Sequence, residues 1–414
     1  MPYFIYSVVL ALFILPKINL IDVEGFNAGL RIDDGLILLM VALIFGTRMV
    51  KQKSPPITPF EKKFFIFIVT ITIGTLISSL GYHRGTILFP IRFAEYFAFF
   101  YIGKIFFSAG FSIRSILMVV FAANVTAALL QYAHVIGGFA VRGYRPDVSE
   151  RVIGLTSGPW ELGVLLNFIC CYFLVNDKSS LKKYAVLIIA TLVILLNGSR
   201  MSLVAQAAIA LAYFTTASSL TSILKKSLAL IPIILVAIVL FEGSEVSNRS
   251  SSLANWDNVE TLISAYGNVT IKSEMPTWDE LGTLKGGDVD TSWSMRGVKW
   301  IYAIKLFLSS PLFILFGVGS GAFGNALDGG WLRILTEWGV IGSTAFVMFL
   351  LLLKRLNATM RLMMIAFAVN MLMIDIYMSY KVMSFILFCA GYFYKEQTRH
   401  RIKSPSTLAI HRPA

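Results

Sequence analysis

The chain has 414 residues, of which 57% are hydrophobic and 14% charged, whereas a soluble domain carries roughly a quarter charged residues, so a soluble enzyme is excluded. A net charge of +13 would suggest nucleic acid in a soluble protein, but here most Lys and Arg fall between apolar runs. There they report membrane topology, and no nucleic-acid partner is expected.

Apolar runs of about 15 to 22 residues recur along the chain, long enough to cross a bilayer as helices, and no barrel-type alternation occurs. The predicted fold is an all-α polytopic membrane protein. Helices are predicted at Tyr3 to Leu15, Gly35 to Gly46, Phe64 to Leu80, Ile87 to Phe107, Ser115 to Ile136, Pro159 to Asn176, Tyr184 to Asn197, Met201 to Ser218 and Leu228 to Phe241. After a long polar loop come Trp331 to Leu353, Met360 to Met378 and Val382 to Tyr394, making about twelve transmembrane crossings with the loop before the tenth. The first run lacks a basic flank and a small-residue cleavage site, and so reads as a retained helix. Lys51 to Lys63, KQKSPPITPFEKK, reads as a linker, since its three prolines deny helix and its lysines deny burial.

Four regions follow. Residues 1–241 form an N-terminal bundle of about nine helices with a short outer loop near 138–158, and residues 242–330 form the long outer loop. Residues 331–394 carry the last helices, and residues 395–414 a basic tail. Lysine and arginine concentrate on one side: Arg48 to Lys63, Lys104 and Arg114, Lys178 to Lys183, Lys225 and Lys226, Lys354 to Arg361, and the tail. That side is expected to be cytoplasmic, which puts both termini inside and the long loop outside.

The long loop has internal order. Met295 to Pro311 is amphipathic, with Arg296, Lys299 and Lys305 along one side and Trp300, Ile301, Ile304 and Leu308 available to dip into lipid. The glycine-rich GVGSGAFG of Gly317 to Gly324 follows, then DGGWLRILTEWGVIG, which re-enters the membrane.

Arginines where topology does not require them carry information: Arg31, Arg84, Arg92, Arg142, Arg145, Arg151, Arg200, Arg249, Arg296 and Arg333 lie outside or near the outer helix ends. Arg92 and Glu95 share a helix face inside an apolar context, where an unpaired charge costs roughly 2.5 to 3.5 kcal/mol. They either pair to stitch helices together or belong to a site. Arg200 follows a tight NGS turn, where its side chain either snorkels to the interface or presents a guanidinium at the surface. Arg151 precedes VIGLTSGPWELG, whose helix offers free backbone donors at its N-terminus. Three arginines on separate outer segments, Arg151, Arg200 and Arg296, suggest a forked clamp for diphosphate oxygens, with Arg92, Arg142 and Arg145 as further candidates.

A carboxylate is needed to take a proton from an attacking hydroxyl. Asp328 and Glu337 are the first candidates, with Asp288, Asp290, Asp34 and Glu161 behind them. Cys170, Cys171 and Cys389 lie in apolar runs, and the four histidines fall outside the long loop. No metal-ligand spacing, nucleophile elbow or phosphate loop is present, so neither metal nor cofactor is expected.

Together, RVIGLTSGPWELG, LLNGSRMSL, SMRGVKWIYAIKLFLSSPLFILFGVGSGAFG and DGGWLRILTEWGVIG resemble the O-antigen polymerase and O-antigen ligase superfamily of bacterial envelope proteins. The resemblance covers roughly Arg151 to Gly342, and the rest by topology. It implies an inner-membrane glycosyltransferase that joins undecaprenyl-diphosphate-linked sugars on the periplasmic face without a metal, loop arginines contacting the diphosphate. Arg151, Arg200 and Arg296 would be those arginines. A ligase is expected to carry a histidine near the end of the long loop, where this chain has Asp328, and the departure favours a polymerase. A lipid-linked glycan, membrane lipids and a chain-length regulator protein are the partners this implies. A ligase acting on a lipid A core and a flippase or exporter are the competing readings.

Overall fold

A computed structural model describes residues 2–16, 19–22, 29–31, 34–40, 42, 57–82, 85–140, 143–145, 151–215, 266–267, 269–271, 291–324 and 326–403. The protein is a helical membrane protein: among the described residues five helices are long and apolar enough to cross a bilayer, and several shorter apolar ones accompany them. The expected helix at Leu228 to Phe241 lies outside the described residues, as do Asp288, Asp290, Arg84, Arg142 and Arg249.

In chain order the elements are α1 (Pro2–Ile14), the hairpin strands β1 (Asn19–Asp22) and β2 (Gly29–Arg31), α2 (Pro59–Tyr82), α3 (Leu88–Ser108) and α4 (Ile113–Tyr132). A second hairpin, β3 (Gly138–Ala140) and β4 (Gly143–Arg145), precedes α5 (Pro159–Asn176), α6 (Ser180–Asn197) and α7 (Arg200–Thr215). Then come α8 (Thr291–Leu308), α9 (Pro311–Phe316), α10 (Gly330–Lys354), α11 (Ala358–Asn370) and α12 (Tyr380–Lys403). Both hairpins are antiparallel. The sequence pattern missed them, and Arg145 falls in β4.

α12 runs to Lys403, nine residues into the stretch expected as tail, and three other departures from expectation have local causes. The expected linker ends early because Thr58 and Glu61 form a reciprocal capping box, Glu61 Oε2 accepting from the Thr58 amide at 2.6 Å and Thr58 Oγ1 from the Glu61 amide at 3.2 Å. Pro59 then opens α2 at a position where its missing N–H costs nothing. The helix expected to run to Met378 stops at Asn370, and residues 371–379 form a non-helical crossbar with one 3-10 turn at Ile376–Met378. Within α10 the helix breaks at Gly339, whose φ is 65°.

In lipid, helices are held by close packing and buried polar contacts rather than by escape from water. Accordingly α3 and α12 meet backbone to backbone: a Cβ on Gly103 would lie 2.1 Å from the Phe388 carbonyl oxygen, and one on Gly391 only 1.9 Å from that of Phe100. α5 occupies the centre, buried over most of its length and flanked by α6, α7 and α11. Asn167 Nδ2 bonds the Ser202 carbonyl at 2.8 Å, tying α5 to α7, and Ser202 Oγ lies 3.5 Å from Asn370 Oδ1 on α11.

The bundle has two chemically different ends. At one, Arg114 pairs with Asp177 at 2.6 Å, Lys104 with Glu61 at 3.7 Å, and Asn176 Nδ2 bonds Thr359 Oγ1 at 2.7 Å. Lys62, Lys63, Lys178, Lys182, Lys183 and Lys354 lie at the same end. The opposite end holds the starts of α3, α5, α7, α10 and α12 and carries the candidate site.

Candidate functional site

The glycine-rich segment does not lie loosely above the bundle. Val318 and Gly319 amides donate to the Thr336 and Glu337 carbonyls at 2.9 and 3.1 Å, the carbonyls that the break at Gly339 leaves without helical partners. Ser320 is fixed from three sides: its amide donates to Thr75 Oγ1 at 3.1 Å, its carbonyl accepts from the Thr86 amide at 2.8 Å, and its hydroxyl accepts from Trp338 Nε1 at 3.1 Å. Thr75 lies seven residues inside α2, about 10 Å below its end at 1.5 Å per residue. Residues 311–324 are therefore a re-entrant element seated among α2, α3 and α10. Irregular backbone at such depth is tolerated where protein supplies its hydrogen bonds. The amides of Gly317 to Ser320, Ala322 and Gly324 are spent on protein carbonyls and a hydroxyl, which leaves them unfit to cradle a phosphate.

Below Gly324 lies a buried charge network. Arg333, fully buried, donates from Nε to Glu337 Oε1 at 2.9 Å, from Nη1 to Asp375 Oδ2 at 2.9 Å, and from Nη2 to the Gly324 carbonyl at 2.5 Å. Asp375 also accepts three successive backbone amides, Leu327 at 2.8 Å, Asp328 at 3.3 Å and Gly329 at 3.1 Å. Tyr377 Oη donates to Glu337 Oε2 at 3.5 Å. Buried ions persist when well-placed partners compensate their loss of water, and here each nitrogen of the Arg333 guanidinium has one. Phe93, Trp338, Phe346 and Tyr377 form the aromatic floor beneath it.

Glu337, expected as a candidate base, is thus sealed in, with both oxygens engaged. Asp328 is different: its side chain is 36% exposed, and its Oδ2 receives Arg296 Nε at 3.2 Å. It sits at φ 57°, a left-handed conformation uncommon for a residue with a side chain. The neighbouring glycines are required by crowding, since a Cβ on Gly329 would lie 2.8 Å from Trp300 and one on Gly330 2.6 Å from Met371.

α8 lines the same loop. Lys299 Nζ and Trp300 Nε1 bond the carbonyls of Ala326 and Leu327 at 3.0 and 3.1 Å. Trp300 is therefore turned to the loop rather than toward lipid, and the buried stripe of α8 is Val298, Tyr302, Ala303 and Leu306, packed on Phe313, Val318 and Phe323. Ile304 and Leu308 remain exposed.

The turn between α6 and α7 takes the Arg151 side chain and is followed by Arg200. Arg151 donates from Nε to the Asn197 carbonyl at 2.9 Å and from Nη2 to that of Gly198 at 3.1 Å, capping carbonyls that the end of α6 leaves unsatisfied. Gly198 adopts φ 65° and Arg200 opens α7. The loop that carries Arg151 is built on Gln131, whose Oε1 accepts the Ile153 and Gly154 amides at 2.9 and 2.8 Å. Glu161 is committed to the same loop: it accepts the Ser157 amide and hydroxyl, each at 2.7 Å, and the Ser379 hydroxyl. Lys381, buried, donates to the Leu155 carbonyl at 2.5 Å.

Arg92 bonds Glu95 at 2.6 Å and Asp34 at 3.1 Å, so the expected pairing acquires a third member from the segment before α2. The crossbar relates the halves of the site: Asp375 grips the 327–329 backbone, Tyr377 reaches Glu337, and Ser379 reaches Glu161. Among the described residues no three of His, Cys, Asp and Glu lie together as a metal site requires.

Sequence reasoning passed over Arg333 as a site residue and Asp375 altogether. Both carried a readable signal: Arg333 and Glu337 are spaced four apart on one helix, and Asp375 is a lone charge in an apolar stretch, which marks a site by default. No protein-family model matches the chain, and no curated protein matches it.

Proposed function

We propose that this protein is a membrane glycosyltransferase that polymerises glycan repeat units carried on a polyprenyl diphosphate, of the O-antigen or related surface-polysaccharide type. The observation that supports it is that Arg151 and Arg200, at the turn between α6 and α7, and Arg296 with the part-exposed carboxylate Asp328, before α10, lie at the same end of the bundle, opposite the lysines. By the positive-inside rule that end faces the periplasm of the bacterial inner membrane, with both termini cytoplasmic.

In this reading the acceptor hydroxyl attacks the anomeric carbon of the donor glycan, the bond from that carbon to the lipid diphosphate breaks, and the hydroxyl proton passes to Asp328. Charge builds on the departing diphosphate, where Arg200 and Arg296 stabilise it. Arg151 holds the turn that presents Arg200 and adds its own positive charge there. Arg296 serves Asp328 as well, keeping the carboxylate oriented until the acceptor arrives. Cells with and without the gene test this: the reading expects loss of the polymer ladder with a single repeat unit retained, and an intact ladder overturns it.

One observation favours a second reading, a lipid or polysaccharide transporter. The broken α10 and the re-entrant 311–324 segment resemble the discontinuous helices that transporters place around substrates. Here the freed carbonyls of Thr336 and Glu337 bond the re-entrant amides rather than a cavity, which favours the enzyme. Accumulation of untranslocated lipid-linked units on the cytoplasmic face of gene-deleted cells would favour the transporter.

A further inference from the structure

We propose that Asp375 is the positioning residue for Asp328, holding the backbone that carries it from the far side of the loop. The inference rests on the reading of Asp328 as the proton acceptor.

Asp375 collects three consecutive amides on one carboxylate, Leu327 and Asp328 on Oδ2 and Gly329 on Oδ1. Convergence of successive N–H groups on a single anion curls a backbone around it, and the curl puts Asp328 at φ 57°. A left-handed residue with a side chain persists only where its surroundings over-determine it. From that turn the Asp328 carboxylate reaches α8, where Arg296 Nε meets it at 3.2 Å.

Asp375 is 6% exposed, and its four donors are three amides and Arg333 Nη1. It therefore acts through Asp328 and touches no reacting atom. Arg333 is what allows the arrangement, because it places a positive charge between Asp375 and Glu337 at 2.9 Å from each. The crossbar thus works as a clamp on the reacting carboxylate, closed from the α11 to α12 connection.

The test uses the purified full-length chain in lipid nanodiscs with undecaprenyl-diphosphate-linked repeat units extracted from the producing cells. Hydrogen exchange at amides 327–329 should be slow in the wild type, and at least about tenfold faster in Asp375→Asn. Asp375→Asn should lower kcat by about ten- to a hundredfold with KM unchanged, and should cause no further loss in an Asp328→Asn background, because the two act as one unit. Unchanged exchange, or losses that multiply in the double variant as a merely structural role requires, overturns the proposal. Where Asp375→Asn fails to reach the membrane, the wild type decides alone, and exchange of amides 327–329 at open-loop rates overturns it. A wild type that makes no polymer defeats the glycosyltransferase reading, and the exchange measurement then still decides the clamp.

Discussion

Gly317 and Gly339 meet backbone to backbone: a Cβ on Gly317 would lie 2.6 Å from the Gly339 amide nitrogen, and one on Gly339 2.5 Å from that of Gly317. Both have positive φ, 83° and 65°. The contact locks the re-entrant element into the break of α10. Alanine at either position combines overpacking with backbone strain, and a loss of about 2 to 4 kcal/mol is expected. Thermal unfolding of the purified variants in detergent checks this, and a wild-type midpoint for both would show that the seat is loose.

Replacing Arg200 or Arg296 by Ala should remove a charge-assisted hydrogen bond in the transition state, about 1.5 to 3 kcal/mol or a ten- to hundredfold rate loss. Lysine should restore only part, since it keeps the charge and not the planar fork. Arg151→Ala should lose stability as well, because it uncaps α6. Arg355, exposed at the lysine-rich end, is the control, and its Ala variant should polymerise normally at matched membrane level. Full activity in all three site variants would leave these arginines as interface anchors.

Stability and chemistry should separate between the two candidate carboxylates. Arg333→Met leaves Glu337 and Asp375 buried without their cation, and a loss of about 3 to 5 kcal/mol is expected. Asp328→Asn, on a side chain 36% exposed, should leave the unfolding midpoint near that of the wild type and slow polymerisation by about a hundred- to ten-thousandfold, leaving a measurable rate. Equal destabilisation by the two substitutions would contradict the division.

At the lysine-rich end, the Ser179 amide at 3.0 Å and the Arg114 guanidinium at 2.6 Å hold the Asp177 carboxyl below its ordinary range. A depressed carboxylate contributes stability above its unfolded-state value, near 3.9, and loses it as pH falls through the folded-state value. The stability gap between wild type and Asp177→Ala should therefore be full at neutral pH and shrink below about pH 4. A gap independent of pH would show that the contribution is not ionic.

Pro159–Asn176 was legible to the residue, because Gly and Pro mark its start and Asn176 closes an unbroken apolar run. The other helices were legible in kind and shifted at their ends, as at α2, where the lysines of FEKK masked a capping box. What hid the crossbar was hydropathy itself: MLMIDIYM is apolar enough to read as helix, and only its single aspartate signals otherwise. The fate of GVGSGAFG was illegible for a different reason. Its seat depends on Gly339 and Ser320 finding Thr75, a pairing between segments some 245 positions apart. Of the site, Arg151, Arg200, Arg296 and Asp328 could be named singly from sequence, but not that Arg296 meets Asp328, that Arg151 caps a helix or that Glu337 is sealed.

The contact of Gly103 with the Phe388 carbonyl, and of Gly391 with that of Phe100, sets an order of assembly. α3 carries Arg92, Glu95 and Lys104, which makes it a poor guest for bare lipid, and the groove that accepts it belongs to α12, which leaves the ribosome long after it. At about 5 to 20 residues per second, nearly three hundred residues of synthesis separate the two by roughly 15 to 60 s. During that interval α3 must be sheltered by the insertion machinery or by its early neighbours α1 and α2. Nascent chains stalled before α12 should accordingly crosslink to that machinery through α3, and full-length chains should not.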